Sequence, residues 1–293
     1  MVEQLGVIGC GLMGGSFALA LRQAGQVRRI VGYSRRPEST ERARGLGVID
    51  EVAESPAQAA VGSDLVLLAV PVASTGHTLA ALREALEPQA LCMDVGSTKQ
   101  DVVVAATAAL AGRLNQFVPA HPIAGSERAG VEHAQAGLYR DRLVILTPQP
   151  GHVPLAVQRA QRLWQAVGAR VQQMDPQAHD RAFAAVSHLP HLLAYAFFES
   201  VAGQPEGHAL LELAGPGFRD FTRIAAGEPL MWRDILLANR EEVLRQAAAF
   251  RVALDGLEAL MKAGDGDALR ARLAGIAQRR GAWQMRGADE AGA

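Results

Sequence analysis

At 293 residues the chain can bury a sizeable core, and a prior of about 150 residues per domain points to two domains. Hydrophobic residues make up 49% and charged residues 20%, which excludes an intrinsically disordered chain. Lys+Arg and Asp+Glu nearly cancel, 29 against 30, so no overall field draws nucleic acid or anionic lipid, and any anion must be held by a few local cations.

The apolar opening, up to Leu21, lacks a basic flank, carries Glu3 and is punctuated by glycines, so it is not read as a secretory signal. No run reaches the ~18 to 20 uninterrupted apolar residues of a spanning helix. The two cysteines, Cys10 and Cys92, form neither a CxxC nor a disulfide framework. A soluble, cytoplasmic protein without membrane or nucleic-acid partners is expected.

Residues 5–8, 29–33, 65–70, 91–94, 117–120 and 143–147 read as strands, each followed by a turn or by helical spacing. This βαβ alternation predicts an α/β Rossmann fold with a doubly wound, mostly parallel sheet. A helix over 156–167 and a strand over 169–173 add one more unit before Asp175-Pro176 breaks the pattern. After residue 174 the strand signals stop, and 178–201, 230–261 and 268–280 are helical in composition. The expected division is a dinucleotide-binding domain over 1–174 and an all-helical domain over 175–293. In the long second helix Val243, Ala247, Phe250, Leu254, Leu257 and Met261 form a packing seam, facing either the same chain or a second copy.

Gly9-Cys10-Gly11-Leu12-Met13-Gly14 follows the first strand directly and opens a helix. In such a string the first glycine permits the tight turn, the second lets backbone approach a pyrophosphate at the helix N-terminus, and the third allows close helix–strand packing. The second strand ends in Ser34-Arg35-Arg36, with no carboxylate before Glu38 to accept from a ribose 2′-hydroxyl. A hydroxyl and two guanidiniums suit a 2′-phosphate, so NADP is expected to be preferred over NAD; two solvated surface arginines are the bland alternative. Two further strands end at Val70-Pro71 and at Asp94-Val95-Gly96-Ser97-Thr98-Lys99 on the same sheet edge, where ligands of open α/β sheets bind. Ser97 and Thr98 also read as an N-cap for the helix beginning near Gln100.

Three segments carry possible chemistry. His121 ends an apolar strand beside the expected nicotinamide pocket, well placed as a general base, although a lone histidine is also often structural. Ser187-His188-Leu189-Pro190-His191 interrupts an apolar helix with two imidazoles and a proline that should kink it. Its HxxH lacks a partner Glu or Cys at zinc spacing, and no metal is expected. Arg219, Asp220 and Arg223 lie among aromatics, where guanidiniums suit a carboxylate or form a structural pair. No GxSxG elbow or Walker A lysine supports a hydrolase or phosphotransferase.

Residues 9–16, 94–99, 121–127, 187–191, 217–225 and Met231-Trp232-Arg233-Asp234 together resemble the prephenate/arogenate dehydrogenase family of tyrosine biosynthesis, in the family's order and over most of the chain. The resemblance implies NAD(P)-dependent oxidative decarboxylation of a cyclohexadienol. Hydride leaves the ring carbon bearing the hydroxyl, CO2 departs and the ring becomes aromatic. Carried over by position, His121 accepts the hydroxyl proton and Ser97 orients it. Arg223 binds a substrate carboxylate and His191 lies near the side chain, with Glu127, Arg219 and Trp232 lining the pocket. The family's helical domain dimerises, so a homodimer is expected. Neither a chorismate mutase segment nor an ACT-type regulatory domain is recognised in the sequence. Two readings compete: another two-domain hydroxy-acid or imine oxidoreductase, and a non-catalytic NADP sensor. The first should use a lysine or tyrosine donor, yet Lys99 and Lys262 are the only lysines and neither lies in such a motif. The second has no need of His121, His191 and Arg223 together.

Overall fold

The structure is a computed structural model and describes residues 1–125, 128–149 and 153–284. Its first half runs β1 (Val2–Ile8), α1 (Leu12–Gln23), β2 (Val27–Tyr33), α2 (Pro37–Gly45), β3 (Glu51–Val52), α3 (Pro56–Ala60), β4 (Leu65–Leu68), α4 (Thr75–Leu82), β5 (Leu91–Asp94), α5 (Gln100–Leu110) and β6 (Phe117–Val118). These strands form one six-stranded sheet in the order β3-β2-β1-β4-β5-β6, every pair parallel. Strands β4 and β5 are buried throughout, as the unbroken apolar run of a sheet covered on both faces requires. This is the doubly wound Rossmann order, with the switch point beside β1 and β4.

The expected strand over 117–120 is two strands. Pro119 has no N–H for a ladder, and the chain leaves the first sheet there. It continues as β7 (Ala120–Pro122), antiparallel to β8 (Leu143–Leu146), which pairs in parallel with β9 (Arg170–Gln173) after α6 (Pro154–Ala166). His121 therefore belongs to a second, three-stranded sheet, opposite Ile145. Phe17 of α1, Trp164 of α6 and Tyr139 meet edge-on or tilted, with ring centroids 4.7–6.3 Å apart.

The helical half contains α7 (Pro176–Phe183), α8 (Leu189–Ala202), α9 (Gly207–Glu212), α10 (Pro216–Thr222), α11 (Pro229–Ala238), α12 (Arg240–Ala263) and α13 (Gly266–Ala282). The expected helix over 178–201 holds a π-turn at Ala184–His188, and Pro190 sits in the first turn of the segment that follows, where its missing N–H costs least. The expected helix over 230–261 breaks at Asn239, whose amide is engaged elsewhere. The short α9 and α10 fall in the glycine- and proline-rich stretches where no helix was expected.

By compactness the chain forms two units, Met1–Arg240 and Glu241–Ala293. In the second, Gly264 takes a left-handed φ of +66° between α12 and α13, and Asp265 caps α13 by accepting from Ala268 N at 2.9 Å. Along the α12 seam Val243 and Ala247 are buried, whereas Phe250, Leu254 and Met261 are 40%, 42% and 67% exposed. Three of the six seam residues are thus exposed among the described residues. No helix among the described residues is long and apolar enough to cross a membrane.

Candidate active site

The β1–α1 turn has the shape of a pyrophosphate cradle. Gly9 has φ +103°, and a Cβ there would stand 2.1 Å from the Ala69 carbonyl oxygen. A Cβ on Gly14 would meet the Gly9 carbonyl oxygen at 2.2 Å. Over Gly11 a Cβ would meet nothing within 4 Å, so the turn is packed from beneath and open above. Gly11 is also the N-cap of α1 and offers no side chain to its orphan N–H groups, which suits a bound phosphate. These residues therefore fit a dinucleotide. Leu12 is buried, and the Met13 carbonyl accepts from the Tyr139 hydroxyl at 2.6 Å, which anchors the first turn of the helix.

Ser34 holds the loop from the end of β2: its hydroxyl accepts from Cys10 N at 2.9 Å. Arg35 and Arg36 are exposed beyond it. Val70 and Pro71 leave β4 into a 3-10 turn, Val72–Ser74. Burial pushes the Cys10 thiol up to about 11, so this cysteine beside the loop stays protonated.

At the end of β5 the chemistry becomes ionic. Asp94 and Lys99 form a fully buried pair at 2.5 Å. Asp94 also accepts from Gly96 N at 2.8 Å and from Ala120 N at 2.9 Å, and Lys99 Nζ donates to the Ala120 carbonyl at 3.0 Å. Both main-chain polar groups of Ala120, its N–H and its C=O, are thus captured one residue before His121. The expected cap of α5 by Ser97 or Thr98 is not formed. Asp180 of α7 performs that task, accepting from Lys99 N and Gln100 N at 2.9 Å each. A carboxylate with two free oxygens satisfies two orphan donors, where one hydroxyl serves a single donor.

His121 is buried, and its Nδ1 lies 2.8 Å from His179 Nε2. His179 Nδ1 in turn lies 2.8 Å from Asp180 Oδ1. Phe183 packs on both rings, with centroids 4.7 Å from His121 and 4.4 Å from His179. Burial holds His121 well below the usual imidazole range, reinforced by His179 when it is protonated, by the Lys99 ammonium and by His188 when it is protonated. Burial also lowers His179, against the opposing pull of Asp180. His188 is pushed down to about 4, again mainly by burial. Near neutral pH these rings rest uncharged.

Asn239 ties the helical side to this cluster. Its amide donates to the Asp180 carbonyl at 2.8 Å and lies 3.1 Å from His188 Nδ1. Trp232 stacks on His191 with centroids 3.5 Å apart and planes 22° apart, while His191 Nδ1 faces the Ser187 carbonyl at 3.0 Å. His191 is also lowered, by burial and then by the nearby Arg223 guanidinium. The backbone of Ser97 lies at His188. His121, Ser97, His191, Trp232 and Arg223 therefore belong to one neighbourhood. Arg219 stands apart, paired with its neighbour Asp220 at the surface. Glu127 lies outside the described residues.

Sequence reasoning passed over His179, Asp180, Asn239 and the Asp94–Lys99 pair. A signal existed for two of them. The buried positions of α7 are Pro176, His179, Asp180 and Phe183, the spacing of an apolar helix face with two polar residues in its middle.

Residues 17–173 match the family described as "Prephenate dehydrogenase, nucleotide-binding domain", and residues 175–275 match "Prephenate dehydrogenase, dimerization domain". The chain belongs to the prephenate dehydrogenase family. It is 37% identical to a prephenate dehydrogenase of Bacillus subtilis over 246 residues, 83% of this chain and 66% of that protein, so the match spans about two thirds of the relative. A cyclohexadienyl dehydrogenase of Zymomonas mobilis is 34% identical over 270 residues, 91% of each chain. A crystal structure of the prephenate dehydrogenase from A. aeolicus, in complex with hydroxyphenyl propionate and NAD+, superposes with TM-score 0.90 at 37% identity, covering 96% of this chain and 98% of that one. Ser97 and His121 fall within the nucleotide-binding match, and His179, Asp180, His191, Arg223 and Trp232 within the dimerization match.

Proposed function

We propose that this chain catalyses the oxidative decarboxylation of prephenate, or of its amino counterpart arogenate, in tyrosine biosynthesis. The observation that carries the reading is His121: an uncharged imidazole at the start of the second sheet, its inner nitrogen engaged by His179, in one neighbourhood with His191, Trp232 and Arg223. When bound, the nicotinamide dinucleotide supplies the hydride acceptor. Gly9, Gly11, Leu12, Met13 and Gly14 would hold its pyrophosphate, with Val70, Pro71, Gly96 and Thr98 along the same sheet edge.

In this reading His121 takes the proton of the ring hydroxyl as the carbonyl forms, and Ser97 orients it. Arg223 holds a substrate carboxylate, and the stacked His191 and Trp232 fix the side chain; the family resemblance assigns Glu127 and Arg219 to substrate binding as well. The protein need apply little force to the departing carboxylate, because aromatisation drives CO2 loss.

Arg35 and Arg36, exposed past Ser34, favour a 2′-phosphate and hence NADP over NAD. Residues 1–174 would bind the dinucleotide. Residues 175–293 would complete the substrate site and form a homodimer, a reading supported by the uncovered Phe250, Leu254 and Met261. Two free, buried cysteines favour a cytoplasmic setting.

Steady-state assays with prephenate and arogenate, each with NAD+ and NADP+, test the proposal through reduced-cofactor absorbance and CO2 release. Turnover of neither substrate overturns it, and a clear NAD preference overturns the role of the two arginines. Arg223→Ala should raise substrate KM about 10- to 100-fold while leaving cofactor KM nearly unchanged.

A further inference from the structure

His179 and Asp180 lie on the buried face of α7, directly behind His121, and the proposed chemistry gives them no task. Their hydrogen bonds nevertheless fix where protons sit. The Asp180 carboxylate accepts from Lys99 N and Gln100 N at 2.9 Å each and has no proton of its own to offer. The proton in the 2.8 Å contact between His179 and Asp180 therefore belongs to His179 Nδ1. An uncharged His179 protonated at Nδ1 presents a lone pair at Nε2. The proton in the 2.8 Å contact between the two rings then belongs to His121 Nδ1. An uncharged His121 protonated at Nδ1 carries its own lone pair on Nε2, for which the described residues provide no hydrogen-bond donor.

We propose that His179 and Asp180 are positioning residues that hold His121 in its Nδ1–H tautomer and share the proton it takes up. The proposal rests on the reading of His121 as general base. As the substrate O–H bond breaks, an Nε2–H bond forms on His121. The Nδ1–H of the resulting imidazolium can then pass to His179 Nε2, which places the positive charge next to Asp180. One proton enters, one shifts, and no electrons are transferred within the relay. The ionisable groups around the pair are Lys99 and His188 on the His121 side, and Lys99, Asp94, Asp180 and His188 on the His179 side. Phe183 packs on both rings and contributes no charge.

Nitrogen NMR of the histidine side chains, on the full chain at neutral pH without substrate, reads the tautomer directly. The His121 signals are assigned by their loss in His121→Asn. The expected result is a protonated Nδ1 in the unsubstituted protein and mixed tautomers in His179→Leu; a protonated Nε2 in the unsubstituted protein overturns the proposal. In kinetics, His179→Leu should lower kcat about 100-fold with substrate KM and cofactor affinity little changed. His179→Gln, whose amide oxygen can accept from His121 Nδ1–H, should recover about tenfold of that loss. An unchanged kcat in His179→Leu also overturns it. If that variant fails to fold, the spectrum of the unsubstituted protein still decides the matter. If the enzyme turns over neither prephenate nor arogenate, the functional reading fails while the tautomer measurement stands on its own.

Discussion

At the β1–α1 turn almost everything that shapes the cradle lies between Gly9 and Gly14, whereas the cluster around His121 is assembled from β5, β7, α5, α7 and Asn239. Bonded partners in that cluster stand as many as 81 positions apart in the chain. The cradle works through what is missing, the side chains that would block a turn or a phosphate. The cluster works through side chains that are present and mutually saturated. A cradle of the first kind fails by one added atom at one position. A cluster of the second kind can fail from any of several distant positions, because each member fixes the proton or the orientation of the next.

That contrast can be broken or sharpened by substitution, beginning with the largest effect. His121→Asn should lower kcat by about 10²- to 10⁴-fold with a modest change in substrate KM, since the lost proton acceptor matters most in the transition state. A kcat close to that of the unsubstituted enzyme removes His121 from its role and leaves the cluster a packing device. Lys99→Met should cost about 3–5 kcal/mol in denaturant unfolding, because it strands the buried Asp94 carboxylate. A loss below about 1 kcal/mol would show that the backbone donors to Asp94 suffice alone.

Acid should also act on the cluster. Its histidines have lower pKa values folded than unfolded, so below about 6.5 the unfolded chain binds protons that the native rings refuse. Stability should therefore hold above that pH and fall as pH drops toward 4, by about 3 kcal/mol from His188 alone. Urea midpoints across that range measure it, and a flat profile contradicts uncharged burial. Gly14→Ala should have the smallest effect on stability, about 1–3 kcal/mol, because its Cβ meets the Gly9 carbonyl oxygen. It should weaken cofactor binding yet leave the acid profile of kcat in place; a shifted profile would mean that cradle and cluster are coupled.

The same contrast explains what was legible in the sequence. Alternating strands and helices gave the Rossmann half, because hydrophobic period and glycine spacing are local properties. The break at Pro119 was legible in principle, since a proline cannot continue a ladder, yet its consequence, a separate sheet for His121, depends on β8 and β9 far downstream. His121, His191, Arg223 and Trp232 could be named because motifs mark them. His179 and Asp180 could not, because their importance lies in which nitrogen or oxygen each faces, and pattern does not record that. The capping of α5 by Asp180 shows the same limit: Ser97 and Thr98 were the local candidates, and a carboxylate from another helix displaced them.

The buried Asp94–Lys99 pair has one more consequence. Because it grips both the N–H and the C=O of Ala120, it stands in for the rungs that a neighbouring strand would have supplied. A joint made of side chains lets the strand bearing His121 leave the first sheet and pair instead with β8. The backbone that carries the His121 ring is thus held by a lysine and an aspartate from the end of another strand.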